Sequence, residues 1–363
     1  MPPKNTQRIG KLTPLPDVFH KIDALAAAVK PRERAFGDAL GFVLAADVKL
    51  SAAHPAKTIA LIDGFAVRAE EIADAGPYAP VAVKAKWIEA GAAVPEGADA
   101  VLPPDAMNEN SEATAPVGAG ENVWPAGANG RAGDVLGRTG ERLRSTDIAA
   151  LSALGVQKVS IRMPQILLVQ AKGKAGDPAL PLLARMIEAS GGKTENMKSL
   201  EDALTNTGAD AVVIVGGSGA GENDASVTTL AKKGRVEVHG VGLQPGETAA
   251  LGIVERRPVL VVPGRLDAAL SVFSVLGLRL VAKLAGRNHY ISQMPVQLTR
   301  KVTSLVGIGE FVPLARTGKN EAVPLATGAI PLSALARMDG WLLVPAESEG
   351  HPAGTVVDMR LFP

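Results

Sequence analysis

The 363-residue chain contains no cysteine. Disulfides, zinc–thiolate sites, iron–sulfur clusters and a thiol nucleophile are therefore excluded together. Aromatic residues are scarce, with 7 Phe, 3 Trp and 2 Tyr, which leaves few platforms for stacking single-stranded bases. Net charge is almost absent as well: 38 Lys and Arg offset 37 Asp and Glu. A surface that wraps nucleic acid needs a large basic excess, so no nucleic-acid partner is expected. No stretch reaches the ~18 uncharged apolar residues that cross a bilayer, and no membrane partner is expected. The first fifteen residues place Lys4, Arg8 and Lys11 among prolines without the apolar core of a secretory signal, so the expected location is cytoplasmic.

What remains is ample material for a core. Hydrophobic residues make up 47% of the chain and charged residues 21%, a composition that folds rather than staying disordered. Apolar residues at helical spacing over Asp17–Val29 predict an N-terminal helix. Between residues 46 and 140, short runs such as Val81–Val83 and Ala100–Leu102 alternate with Pro/Gly turns, the pattern of a small β-rich insertion. A helix over 145–154, ended by Gly155, follows it. From residue 164 apolar strands (Ile166–Val169, Ala211–Val215, Val259–Val262) alternate with helices over 179–189, 224–232 and 266–284. Continuous apolar strands separated by helices predict an α/β core, a parallel sheet covered by helices on both faces. Further strands over 296–302, 311–314, 341–344 and 355–359 predict a small C-terminal β domain. The expected domains are a composite region 1–163 (a helical linker domain of 1–45 plus 141–163, interrupted by the β insertion 46–140), an α/β domain 164–286 and a β domain 287–363.

The loop Val215-Gly216-Gly217-Ser218-Gly219-Ala220-Gly221-Glu222-Asn223-Asp224 carries the strongest chemical signal. It leaves an apolar strand and enters a helix, where glycines permit close approach and helix-start N–H groups suit an anion. Ligands of open α/β sheets sit beyond the carboxyl ends of strands. A plain glycine-rich turn is the bland alternative. Two further loops end short β-like runs: Gln244-Pro245-Gly246-Glu247-Thr248 and Val262-Pro263-Gly264-Arg265. On a parallel sheet they would share the edge with the glycine loop, and Arg265 opens a helix from which it could grip an anion.

Several activities lack their motifs. No Gly-Lys-Ser/Thr follows the glycines, which argues against a P-loop. Glu222 stands where a dinucleotide fingerprint needs its third glycine, so a nicotinamide dehydrogenase is a weak reading. Ser218 lies outside any Gly-x-Ser-x-Gly elbow. The histidines at 20, 54, 239, 289 and 351 show no ligand spacing, and no metal ligand is assigned from them. Asp63, in Ile62-Asp63-Gly64-Phe65, puts a carboxylate in apolar surroundings, although Asp-Gly is also an ordinary hairpin turn.

Taken in order, these segments resemble the molybdopterin molybdenumtransferase family, the MoeA and gephyrin E-domain proteins. Ile62-Asp63-Gly64-Phe65-Ala66-Val67 is similar to the family's M-D-G-Y/F-A-V. Residues 90–101 resemble T-G-A-P-V-P-x-G-A-D-A-V, and Asn122-Val123-Trp124-Pro125-Ala126-Gly127 through Gly133 resembles N-V-R-x-x-G-E-D-x-x-x-G. The 216–224 loop resembles G-G-V-S-x-G-x-x-D, and Pro263-Gly264 the start of P-G-N-P. The resemblance implies a molybdopterin-binding-like α/β domain and an elongated homodimer. It also implies adenylylated molybdopterin and magnesium as cofactors, and molybdate insertion as the reaction. On the matched positions it implies acidic roles for Asp63 and Asp224. Binding falls to Gly216, Gly217, Ser218, Gly219, Gly221, Glu222, Pro245, Gly246, Pro263, Gly264 and Arg265, which would hold a small anionic ligand, a pterin or a nucleotide.

The chain also departs from that pattern. D-N-S-A reads Thr58-Ile59-Ala60-Leu61, and the Glu-Asp pair of the G-E-D segment reads Ala128-Asn129. S-T-G-D-E-L reads Gln170-Ala171-Lys172-Gly173-Lys174-Ala175, K-P-G-K-P reads Gln244-Pro245-Gly246-Glu247-Thr248, and P-G-N-P ends in Arg265-Leu266. Three carboxylates and two lysines are lost at matched positions while Lys172, Lys174 and Arg265 enter the loops, an exchange that predicts a more basic loop edge. Two functions fit: a divergent transferase, or a non-catalytic relative that binds a pterin, a nucleotide or a protein partner.

Overall fold

The computed structural model describes residues 7–171, 177–288 and 291–363. The chain forms two compact units, one of residues 47–138 and 146–157 and a larger one of the remainder. The larger unit is built on a six-stranded sheet of β1 (Gln165–Gln170), β2 (Lys193–Met197), β3 (Ala211–Val215), β4 (Arg235–His239), β5 (Ala250–Val254) and β6 (Arg257–Val262). In space the order is β2-β1-β3-β6-β5-β4. The first four run parallel; β5 is antiparallel to both β6 and β4.

Strands buried on both faces need unbroken apolar runs, and β3 and β6 are buried throughout. Because side chains alternate, each ladder row feeds one of two cores. The row Leu168–Val213–Leu260 belongs to one core and Val169–Ile214–Val261 to the other. The first is closed by helix α1 (Ala179–Ala189) through Leu183 and Ile187, and by the N-terminal helix Leu15–Leu25 through Val18 and Ile22. The second is closed by α2 (Leu200–Thr205) and α3 (Ser226–Lys233), through Leu204, Val227 and Leu230. Helix α4 (Leu266–Val272) returns to the first core. The single helix expected over 266–284 keeps its course but widens into a π turn at Phe273–Gly277 before resuming at Leu278–Leu284.

The C-terminal strands Gln293–Leu298, Gly309–Arg316, Glu321–Pro324, Gly340–Val344 and Val356–Leu361 close into a small barrel around Val296, Val312, Leu342 and Met359. The short strand Leu243–Gln244 pairs with Gly309–Glu310 of this barrel instead of joining the six-stranded sheet.

The smaller unit is β-rich, as its turn-punctuated sequence predicts. Gly64–Val67 lies between Lys86–Ile88 and Ala100–Leu102, with cores around Val67, Ile72 and Leu102 and around Ala60, Ile88 and Val101. Most of the helix Ser145–Ala153 falls in this unit and not with the N-terminal helix; of its residues only Leu151 is buried. Among the described residues no helix is long and apolar enough to cross a membrane.

Candidate functional site at the carboxyl edge of the sheet

The three loops singled out in the sequence meet at the carboxyl ends of β3 and β6. The ladder continues past both strands, since the Gly216 amide donates to the Val262 carbonyl at 2.8 Å. Gly216 and Gly264 then touch backbone to backbone: a Cβ on Gly264 would lie 3.4 Å from the Gly216 Cα. The 244–248 loop is fastened to the glycine loop by the Ser218 and Thr248 hydroxyls, 2.9 Å apart. Gly217 needs its missing side chain, with φ of +68° and a notional Cβ 2.4 Å from Ser226 Oγ. That hydroxyl is occupied, donating to the Gly216 carbonyl at 2.8 Å.

The residues expected at the site divide by exposure. Gly216, Ser218, Pro245, Gly246 and Pro263 are buried and build the edge. Ser218 also holds β4, its carbonyl accepting from His239 Nε2 at 3.0 Å. Gly221, Glu222, Gly264 and Arg265 are exposed, and Gly217, Gly219 and Asp224 are half-buried. Asp224 Oδ2 accepts from the Gly221 amide at 3.2 Å, closing the loop before α3. α3 starts at Ser226 and not at 224, because Ala225 is non-helical at φ −131° and ψ 3° and one Asp224 oxygen closes the loop ahead of it. Asp63 lies in the smaller unit, exposed, with its Oδ1 accepting from the Ala90 amide at 2.8 Å.

The expected basic character of this edge is not found in its described part. Arg265 is tied to Asp267, two residues on, by Nε–Oδ1 and Nη2–Oδ2 contacts of 3.2 and 2.5 Å. Asp267 Oδ2 also accepts from the Ile330 amide at 3.0 Å. Glu222, Asp224, Glu247 and Asp267 thus outnumber the one guanidinium. Lys172 and Lys174 lie outside the described residues.

Burial works to raise the Asp267 carboxyl, but the Arg265 hydrogen bonds, the Ile330 and Ala268 amides and the Arg265 charge together hold it below the ordinary carboxylate range. The same hydrogen bonds raise Arg265. A carboxyl depressed by folding stabilises the protein above its unfolded value of about 3.9, and that contribution is lost as pH falls through the lower folded value. Asp267→Asn is expected to lower stability by about 1–2 kcal/mol at pH 7 and to flatten the acid limb. Urea unfolding at pH 7 and pH 3 measures both.

One participant came without any sequence signal. Gln7, 5% exposed, reaches across the chain into the glycine loop. Its Nε2 donates to the Gly217 and Gly219 carbonyls, both at 2.9 Å. Its Oε1 accepts from the Val227 and Thr228 amides of α3 at 2.8 and 2.9 Å. Asp267, Ser226 and His239 were missed too. Only Asp267 had a cue, as an acid in the first turn of a helix that opens on an arginine.

Comparison with known proteins fits this geometry. The family described as "MoeA N-terminal region (domain I and II)" matches residues 13–155, and that described as "Probable molybdopterin binding domain" matches 163–283. A candidate molybdopterin biosynthesis protein of Methanocaldococcus jannaschii is 26% identical, covering 100% of this chain and 98% of its own. Molybdopterin molybdenumtransferase 1 of Mycobacterium tuberculosis is 25% identical, over 94% of this chain and 97% of its own. The crystal structure of a molybdopterin biosynthesis MoeA protein from Pyrococcus horikoshii superposes with a TM-score of 0.77 at 26% identity, covering 97% of this chain and 100% of that one.

Proposed function

Because the chain belongs to the MoeA family, as a distant homologue of molybdopterin molybdenumtransferases and a protein of molybdenum cofactor biosynthesis, we propose that it binds adenylylated molybdopterin at the loop edge and serves molybdate insertion there. The observation that carries this reading is the convergence of 216–224, 244–248 and 263–265 on one sheet edge within the molybdopterin-binding domain. Gly217, Gly219, Gly221 and Gly264 let a phosphate or pterin approach the backbone. Asp224 and Glu222 supply negative charge beside it. A homodimer acting in the cytoplasm completes the reading.

Among the described residues no three His, Asp or Glu side chains converge as a metal cage. Magnesium commonly takes one or two carboxylates and completes its shell with water and substrate phosphates. Asp224 and Glu222 are suited to that share. The ion, when bound, offsets phosphate charge and polarises the adenylate linkage.

Two observations favour the second reading, a relative that binds without turning over. Gln7 fills the helix-start amides, and Arg265 is already paired with Asp267. Expression in a bacterium lacking its own transferase separates the two. Restored molybdoenzyme activity is expected from the transferase. Folded protein that binds molybdopterin or AMP in calorimetry yet restores nothing supports the binder.

A further inference from the structure

We propose that residues 7–13 form a strap in which Gln7 stands in for a ligand oxyanion at the glycine loop, so that the strap must withdraw before a phosphorylated ligand occupies the first turn of α3. This rests on the reading of the loop edge as the ligand site. The Val227 and Thr228 amides are among the helix donors without intrahelical partners, and these are the donors a phosphate takes at a helix start. In this structure both end on Gln7 Oε1.

The other half of the carboxamide makes the two states exclusive. Gln7 Nε2 supplies hydrogens to the Gly217 and Gly219 carbonyls. A fully ionised phosphate has none to give and would face those carbonyls with like partial charge. The loop that receives a phosphate must therefore turn the carbonyls away, and Gln7 then loses its acceptors. At 5% exposure the position has no space for both groups.

Among the described residues the strap's backbone is fixed at Thr13. Thr13 donates to the Gly240 carbonyl at 2.9 Å and accepts from the Gly242 amide at 2.8 Å. Ile9 lies against Gly240, whose φ is +101° and whose notional Cβ would be 2.4 Å from Ile9 Cγ2, so only glycine lets the strap pass. Among the described residues, 8–12 make no backbone hydrogen bond, and Gln7 is held through its side chain. Release can thus pivot about Thr13 without disturbing the sheet.

Calorimetry on the full chain with inorganic pyrophosphate and with AMP tests this, using wild type, Gln7→Ala and Gln7→Asn, the last one methylene too short to span the loop. Hydrogen exchange of segments 7–13 and 226–229 is followed alongside. Both variants are expected to bind pyrophosphate about tenfold tighter, because the competent loop is no longer a minor population. In wild type, pyrophosphate should raise exchange in 7–13 while 226–229 stays protected. Equal affinities with 7–13 still protected would overturn the strap and leave the loop-edge site standing. Weaker binding by both variants would make Gln7 a ligand contact and overturn it too. Absence of binding by either probe to any of the three proteins would remove the loop-edge site and the strap together.

Discussion

Asp224→Ala is expected to slow the proposed molybdate insertion by about 100- to 1,000-fold, the loss typical when one preorganised charged or polar group is taken from a reacting centre. The same substitution should cost less than about 1 kcal/mol of stability. The contrast follows from the contacts. Asp224 is half-buried, and the bond it makes is a single 3.2 Å hydrogen bond between Oδ2 and the Gly221 amide, which an incoming water can replace. Among the described residues no hydrogen bond is made to Oδ1. Asp224→Asn separates the two roles, because its amide oxygen can still accept from Gly221 while the charge is gone. The proposed chemistry requires Asn to be nearly as slow as Ala, with kcat falling more than KM rises. An Asn variant with wild-type kcat would reduce Asp224 to a latch on the loop. Steady-state assays of the purified protein, with melting curves as the folding control, decide this.

The site was legible where local pattern decides structure and illegible where distant pairing does. Four glycines between an apolar strand and a helix specify a loop able to approach a ligand, and a parallel sheet forces its strand ends onto one edge. That logic reached 216–224 and 263–265. It could not reach the charge at Arg265, because a sequence shows a cation without showing that Asp267 neutralises it. Nor could it reach Gln7, which lies over two hundred residues from its partners and carries no propensity toward them. The 244–248 loop falls between these cases. Its place at the edge was foreseeable, but its strand pairs with Gly309–Glu310, a contact set by the barrel.

The same division runs through the fold. Strands β1, β3 and β6 announced themselves as apolar runs because both faces are buried. Edge strand β2, Lys193–Met197, reads K-T-E-N-M with no residue fully buried, and β4 is mostly exposed or half-buried. An edge strand sheds the hydrophobic signal that identifies a strand, and neither was foreseen. Strand β5, though largely buried, follows a proline-containing loop and is interrupted by Gly252, which hides its β character. The π turn at Phe273–Gly277 is invisible to periodicity for another reason. Its residues are all buried, so no polar face marks the change of pitch.

Trp341→Ala is expected to cost about 3–5 kcal/mol, the range for emptying an aromatic site in a packed core. Trp341 is completely buried and stacks on Phe311, with ring centroids 4.8 Å apart and planes inclined by 23°. Both rings belong to the core that also contains Leu243, Leu270 and Ile330, so the α/β sheet and the barrel share this packing. Arg360 lies over the Trp341 ring at 4.9 Å, and burial lowers its pKa despite the opposing charge of Asp358. Losing the ring therefore removes packing area, an aromatic pair and the π face that compensates a desolvated cation. One feature offsets part of this: Trp341 Nε1 is buried without a hydrogen-bond partner, an orphan whose desolvation costs about 1–3 kcal/mol. Trp341→Phe keeps a ring against Phe311 and deletes that orphan, so it should regain most of what Ala loses. Urea unfolding of the three proteins, with ring packing followed by near-ultraviolet dichroism, gives the comparison. A Phe variant as unstable as Ala would mean that indole volume, and not the paired rings, holds the barrel to the sheet.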